Sequence, residues 1–167
     1  MNSLVELHAY GQSFWYDNIR RKFLEDGTLA SMIANDGLRG MTSNPSIFEK
    51  AIGNSDDYND QLRTLAQNGE SVANIYEALA LADIQTACDL FADLYEESEG
   101  GDGFVSLEVS PHLANDTDGT VAEARRLHQA VNRPNVMIKV PATAAGIPAI
   151  RPLISEGVNV NITLMFS

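Results

Sequence analysis

The sequence predicts an α/β fold, a parallel sheet assembled from βαβ units. Two observations carry this. Five short apolar segments alternate along the chain with stretches whose apolar residues recur at helical spacing. Polar residues fall at or near the C-terminal end of each apolar segment, where parallel sheets gather their chemistry. Two closures satisfy such a pattern, an open doubly wound sheet and a β/α barrel.

The first strand candidate is "SFWYD" (13–17), and its Phe14-Trp15-Tyr16 cluster reads as core packing. A dinucleotide-binding sheet would follow its first strand with a glycine-rich turn. Here "NIRRKF" follows, with no glycine, and Arg20-Arg21-Lys22 read as a solvated helix face. The second candidate, "LRGMT" (38–42), is the weakest by propensity. Val72, Ile75, Tyr76, Leu79, Ala87, Leu90, Phe91 and Leu94 then recur at helical spacing, interrupted near Asp83. The third candidate is "FVSLEVS" (104–110). Val121, Ala124, Leu127 and Val131 follow as a helix, with Thr120 and Glu123 in a capping-box pattern. "VMIKV" (136–140) is the fourth. Pro148 suits the start of the next helix and Gly157 the residue after its end, while Pro152 should kink or shorten it at a cost of about 3 kcal/mol. "VNVNITLMF" (158–166) is the fifth.

The 167 residues suffice for one domain with a sizeable core. A net charge of −12 without a basic stripe argues against a nucleic-acid backbone and against anionic lipid as partners. The one cysteine, Cys88, excludes an internal disulfide, fits a reducing compartment and reads as inert packing. No apolar run is long enough to span a bilayer. The start, "MNSLVELHAYGQSFW", has Glu6 and no basic n-region, so it does not read as a secretory signal. The expected location is the cytoplasm.

The chemistry resides in the polar residues of the strands. Strand one ends at Asp17, strand two runs into Thr42, Ser43 and Asn44, strand three contains Glu108, strand four carries Lys139, and strand five carries Asn161 and Thr163. Polar groups inside apolar strands are costly unless paired, so a set on all five strands implies a shared polar centre. Desolvation disfavours the charged form of a lysine, and the neutral amine is a nucleophile that condenses with ketones. An imine so formed is an electron sink for cleaving a neighbouring carbon–carbon bond. Asp17 and Glu108 are the candidate proton carriers. Such a site needs no metal and no organic cofactor, and His8, His112 and His128 show no ligand spacing.

The segment "GMTSNPSIFEKAI" (40–52) resembles the first transaldolase signature, and "VMIKVPATAAGIPAI" (136–150) resembles the second, around the imine-forming lysine. "FWYDNIRR", "VSLEVSP" and "NVNITLMFS" match the flanking segments in the right order. The resemblance implies a (β/α)8 TIM barrel present in part, about the first five β/α units, with residues 1–167 forming one incomplete domain truncated after the fifth strand. It also implies transfer of a dihydroxyacetone unit from a ketose phosphate to an aldose phosphate in the pentose phosphate pathway. By that resemblance Lys139 forms the imine, Asp17 handles the proton of the hydroxyl beside the broken bond, and Glu108 with Thr163 acts through a water. Asn44 and Asn161 bind the dihydroxyacetone hydroxyls, and Thr42 lines the site. The phosphate-binding arginines of the family lie after the fifth strand, beyond Ser167.

A barrel needs eight strands and commonly about 250 residues, so the chain looks cut. An edge left bare after strand five predicts aggregation or partial folding in isolation, or a homo-oligomer or complementing C-terminal segment as partner. The rival expectations are a non-catalytic remnant and a related Schiff-base aldolase that releases free dihydroxyacetone.

Overall fold

In the computed structural model, residues 2–165 are described. In chain order they form helix α1 (Ser3–Glu6) with a 3-10 turn (Leu7–Tyr10), strand β1 (Phe14–Asp17), α2 (Arg21–Glu25), α3 (Thr28–Asp36), β2 (Leu38–Thr42), α4 (Pro45–Gly53) and α5 (Asn59–Gln67). There follow α6 (Val72–Leu90), α7 (Ala92–Glu97), β3 (Phe104–Glu108), a 3-10 turn (Pro111–Leu113), α8 (Thr117–Val131), β4 (Val136–Pro141), α9 (Ile147–Ser155) and β5 (Val160–Thr163). Every strand pair is parallel, and the strands lie side by side in chain order. At about 4.8 Å per step, β1 and β5 would stand roughly 19 Å apart in a flat sheet. Trp15 of β1 and Asn161 of β5 nevertheless line one cavity, so the sheet curls around its inner face as a half-barrel.

Side chains alternate across a strand, and this splits the sheet into two chemistries. On the outer face Met41, Val105, Leu107, Val136, Ile138 and Val140 are buried in one apolar cluster. Ile84 and Ala87 of α6, Phe91 just after it, Ala124, Leu127 and Val131 of α8, and Ala149 and Leu153 of α9 belong to the same cluster. Cys88 lies within it, and burial pushes its thiol up to about 12, which leaves it unreactive.

The weak second strand carries a glycine that the packing of β1 requires. Trp15 pairs with Gly40, and a Cβ at Gly40 would overlap the indole. Trp15 therefore faces the hollow, whereas Phe14 and Tyr16 pack on the core as the sequence led us to expect of all three. β3 ends at Glu108 rather than 110, because the Ser110 hydroxyl turns to accept a hydrogen bond from His112 N–H at the start of the 3-10 turn. β5 is shorter than 158–166. Leu164, at φ +59°, leaves the extended conformation, and Phe166 lies outside the described residues.

Three helix features differ from expectation. The capping box at Thr120 and Glu123 does not exist: Asp116 caps α8 by accepting from Gly119 N–H at 3.0 Å, and the buried Thr120 hydroxyl donates to Leu113 O. Pro152 does not stop α9, which continues to Ser155. It cannot donate to the Pro148 carbonyl, but Pro148 is exposed and water can serve that group. Arg21 is not part of a solvated face. Its side chain is only 11% exposed, its Nε donates to Asp83 at 2.8 Å, and its guanidinium lies 4.6 Å from the Tyr58 ring centroid. Asp83 also accepts from the Tyr58 hydroxyl at 2.8 Å. The apparent break in the helix at Asp83 is thus a buried ionic tie between α2 and a continuous α6. Burial pushes the Asp83 carboxyl up, against the pull of Arg21 and Tyr58.

Among the described residues no helix is long and apolar enough to cross a membrane.

Two predictions follow from these ion pairs. Asp83→Ala leaves the Arg21 guanidinium and the Tyr58 hydroxyl without their acceptor and should cost about 3 kcal/mol in urea unfolding of the natural protein. Asp83→Asn, which keeps an acceptor oxygen, should cost less. Separately, hydrogen bonds from Arg20, Arg126, Arg133 and Arg125 hold Asp57, Glu77, Asp89 and Glu156 below the ordinary carboxylate range. With folded values below unfolded ones, the unfolded chain takes up these protons first. The pairs contribute fully above the ordinary carboxylate range and lose their contribution as pH falls through it towards the lower folded values. Asp83 opposes the trend, because burial favours its protonated form. Unfolding measured from about pH 6 to about pH 3 should show declining stability, and Arg133→Gln should flatten part of that slope.

Candidate active site

Strand register decides which side chains meet. Asp17 pairs with Thr42, and Thr42 with Ser106. Glu108 pairs with Lys139, and Lys139 with Asn161. Ser106 and Glu108 are two residues apart on β3, so both rungs face the same way, into the hollow. Thr163, paired with Pro141 and two residues beyond Asn161, faces it too. The polar residues expected on all five strands therefore share one concave surface.

Lys139 is the centre of this surface. It is 9% exposed, yet its flanking residues Ile138 and Val140 are buried in the outer core. Its Nζ lies 3.3 Å from Glu108 Oε2 and donates to Ser43 O at 3.4 Å. The Ser43 carbonyl is available because the buried Ser43 hydroxyl is itself fixed, donating to Ser106 O at 2.8 Å. Asn161 Nδ2 donates to Ser106 Oγ at 2.9 Å, which orients its amide beside Lys139. The Thr42 hydroxyl is buried with no hydrogen-bond partner among the described residues. An orphaned hydroxyl in a polar hollow is a group poised for a ligand.

Other expected residues make no hydrogen bond to the amine among the described residues. Asn44 spends its Oδ1 on capping α4, accepting from Ile47 N–H at 3.0 Å, which leaves its Nδ2 hydrogens for a ligand. Asp17 is exposed at the end of β1 and makes no ion pair among the described residues. Thr163 makes no direct hydrogen bond to Glu108 among the described residues, so a link between them needs a bridging water.

Ser106 was not singled out by the sequence analysis, which named Ser43 only among the polar residues after strand two and Tyr76 only as part of a helical stripe. Ser106 carried a readable signal, since it lies at i−2 from Glu108 in an apolar strand and so shares its face. Tyr76 carried none: it comes from α6 and, with Glu108, lines a cavity of about 430 Å³ that Pro45, Leu107, Ser110 and His112 also border. Burial and then the Glu108 charge push its phenol up.

The residues present can perform amine chemistry. A largely buried amine beside one carboxylate can exchange a proton with it, and a carbonyl admitted to the hollow would meet both.

The family model described as Transaldolase/Fructose-6-phosphate aldolase matches residues 14–167. A transaldolase of Thiobacillus denitrificans is 52% identical over 167 residues, covering 100% of this chain and 46% of that protein. A transaldolase of Trichodesmium erythraeum is 49% identical over 166 residues, covering 99% of this chain and 44% of its own length. A protein named transaldolase 2 from a Nostoc species is 48% identical over 167 residues, 44% of its length. The chain thus spans a little under half the length of these curated relatives. With a parallel half-barrel matched across nearly all of its strands and helices, the chain belongs to the transaldolase/fructose-6-phosphate aldolase family.

Proposed function

We propose that this chain supplies the imine-forming part of a transaldolase active site. The reaction moves a dihydroxyacetone unit from a ketose phosphate, sedoheptulose 7-phosphate or fructose 6-phosphate, to an aldose phosphate in the cytoplasmic pentose phosphate pathway. The observation that supports this best is the Lys139 amine, held 3.3 Å from Glu108 within a polar hollow of an otherwise apolar sheet.

On this reading the Lys139 amine attacks the ketone carbon C2. The carbinolamine loses its hydroxyl as water, with Glu108 and Thr163 passing the proton through a bound water, and an iminium remains. Asp17 accepts the proton of the C4 hydroxyl, the C3–C4 bond breaks, and its electron pair flows into the iminium to leave an enamine. The shortened aldose phosphate departs. The enamine carbon then attacks the acceptor aldehyde, Asp17 returns its proton to the new hydroxyl, and water releases the product from Lys139. Asn44 and Asn161 hold the dihydroxyacetone hydroxyls, and the Thr42 hydroxyl, without a partner among the described residues, finds its acceptor there. No organic cofactor or metal enters these steps. By resemblance, the phosphate is bound by arginines after the fifth strand, outside these 167 residues, and strands of a complementing segment close the edges of β1 and β5.

Borohydride reduction with fructose 6-phosphate tests the chemistry. A stable sugar adduct mapped to Lys139 by peptide mass is expected, and its absence in a folded sample would falsify the reading. Glu108→Gln should slow adduct formation about 100-fold, a typical loss for a proton carrier, while Lys139 remains the labelled residue. The intact mass of the natural gene product, taken from its own cells, should come out at about twice the 18.2 kDa of this sequence. A mass near 18.2 kDa would instead favour a site completed by a second chain.

A further inference from the structure

The hydrogen-bond ladder between the two catalytic strands stops where the chemistry begins. Residue pairing of β3 with β4 ends at Glu108 and Lys139, and the last backbone bond between them runs from Val109 N–H to Lys139 O at 3.1 Å. Pro141 has no N–H to extend it. The next donor, Ala142 N–H, turns the other way, to Thr163 O on β5 at 2.8 Å. Beyond Val109, no backbone hydrogen bond joins the loop after β3 to the loop after β4 among the described residues.

Two threonine side chains take over. Thr143 Oγ1 donates to Ala114 O at 2.5 Å and accepts from Gly146 N–H at 2.8 Å. Thr117 Oγ1 donates to Ala145 O at 2.7 Å. The loop that offers these groups is tightly wound. A Cβ at the buried Gly146 would overlap the Pro141 carbonyl oxygen, so the loop packs closely against the end of β4.

We propose that Thr143, supported by Thr117, is a positioning residue that clasps the two loops and so fixes the spacing of Lys139 and Glu108. This rests on the imine-forming role assigned to Lys139 above. Neither hydroxyl touches the amine. Each acts through the loop it fastens, and the Lys139–Glu108 separation of 3.3 Å leaves little slack before proton exchange between them fails.

The test compares Thr143→Val, which keeps the shape and loses the hydroxyl, with Thr143→Ser, which keeps the hydroxyl, in the complete natural protein. Thr143→Val should slow borohydride trapping of the fructose 6-phosphate imine about tenfold, lowering kcat with KM nearly unchanged. Thr143→Ser should restore the rate to within about twofold. Equal rates in wild type and Thr143→Val, or equal losses in both variants, would overturn the proposal. If Thr143→Val fails to fold, Thr117→Val carries the same expectation. A second readout is independent of sugar chemistry: reductive methylation of Lys139 with formaldehyde, scored against exposed Lys22 and Lys50. Its relative rate should change severalfold in Thr143→Val, and an unchanged rate overturns the clasp. If wild type traps no sugar while the methylation rate still changes in Thr143→Val, the imine reading alone is refuted.

Discussion

A lysine amine taken out of water must find acceptors, and in the middle of a parallel sheet few are on offer. The backbone carbonyls are engaged in the ladder and the outer face is apolar. The Lys139 amine finds its acceptors on the inner face, in the Glu108 carboxylate and the Ser43 carbonyl. That arrangement requires the sheet to curl, because Ser43 follows β2 while Lys139 belongs to β4. It also requires Ser43 to be immobile, which the bond from its hydroxyl to Ser106 O provides across to β3. Curl, register and the buried serine are thus one solution to the solvation of a single amine.

The division of faces explains why the helices can be numerous and individually unremarkable. Stability is concentrated on the outer face, where side chains of α6, α8 and α9 form one cluster with the apolar side of β3 and β4. The inner face is released to carry polar groups, among them the Thr42 hydroxyl, which has no partner among the described residues. Strain and unsatisfied polarity tend to collect where function needs them, and a core that is complete without the inner face makes that tolerable.

Much of this was legible in the sequence. Five strands in order, their parallel pairing and the inward polar residues all followed from local patterns, because alternation and helical spacing report directly on burial. The exact ends did not. β3 and β5 stop early, at Glu108 and Thr163, because the serine cap at Ser110 and the left-handed Leu164 compete with extension, and neither shows in hydrophobic periodicity. Arg21 looked like surface because charged residues usually are, and its partner Asp83 lies 62 positions away. Gly40 lowered the propensity of β2 for the very reason it belongs there, the indole of Trp15. Tyr76 was invisible as a neighbour of Glu108, since nothing local in α6 records which strand end it approaches.

On the proposed reading, position within the sheet also sorts the roles. β3 and β4 are hydrogen-bonded on both sides, and they carry Glu108 and Lys139. β1 and β5 each have one neighbour among the described strands, and they carry Asp17 and Thr163. On that reading the covalent step tolerates little wandering of the nucleophile, whereas Asp17, taking a proton from a substrate hydroxyl, has more latitude. Placing the amine and its carboxylate on strands held from both sides sets the demanding pair where backbone freedom is least. The weak point of that arrangement is the end of the ladder, where Pro141 ends the donors from β4. There the chain substitutes two threonine hydroxyls and a glycine that no larger residue could replace. The local composition "PATAAG" is therefore the continuation of the strand pair by other means, and it follows Lys139 because that is where the pair must still be held.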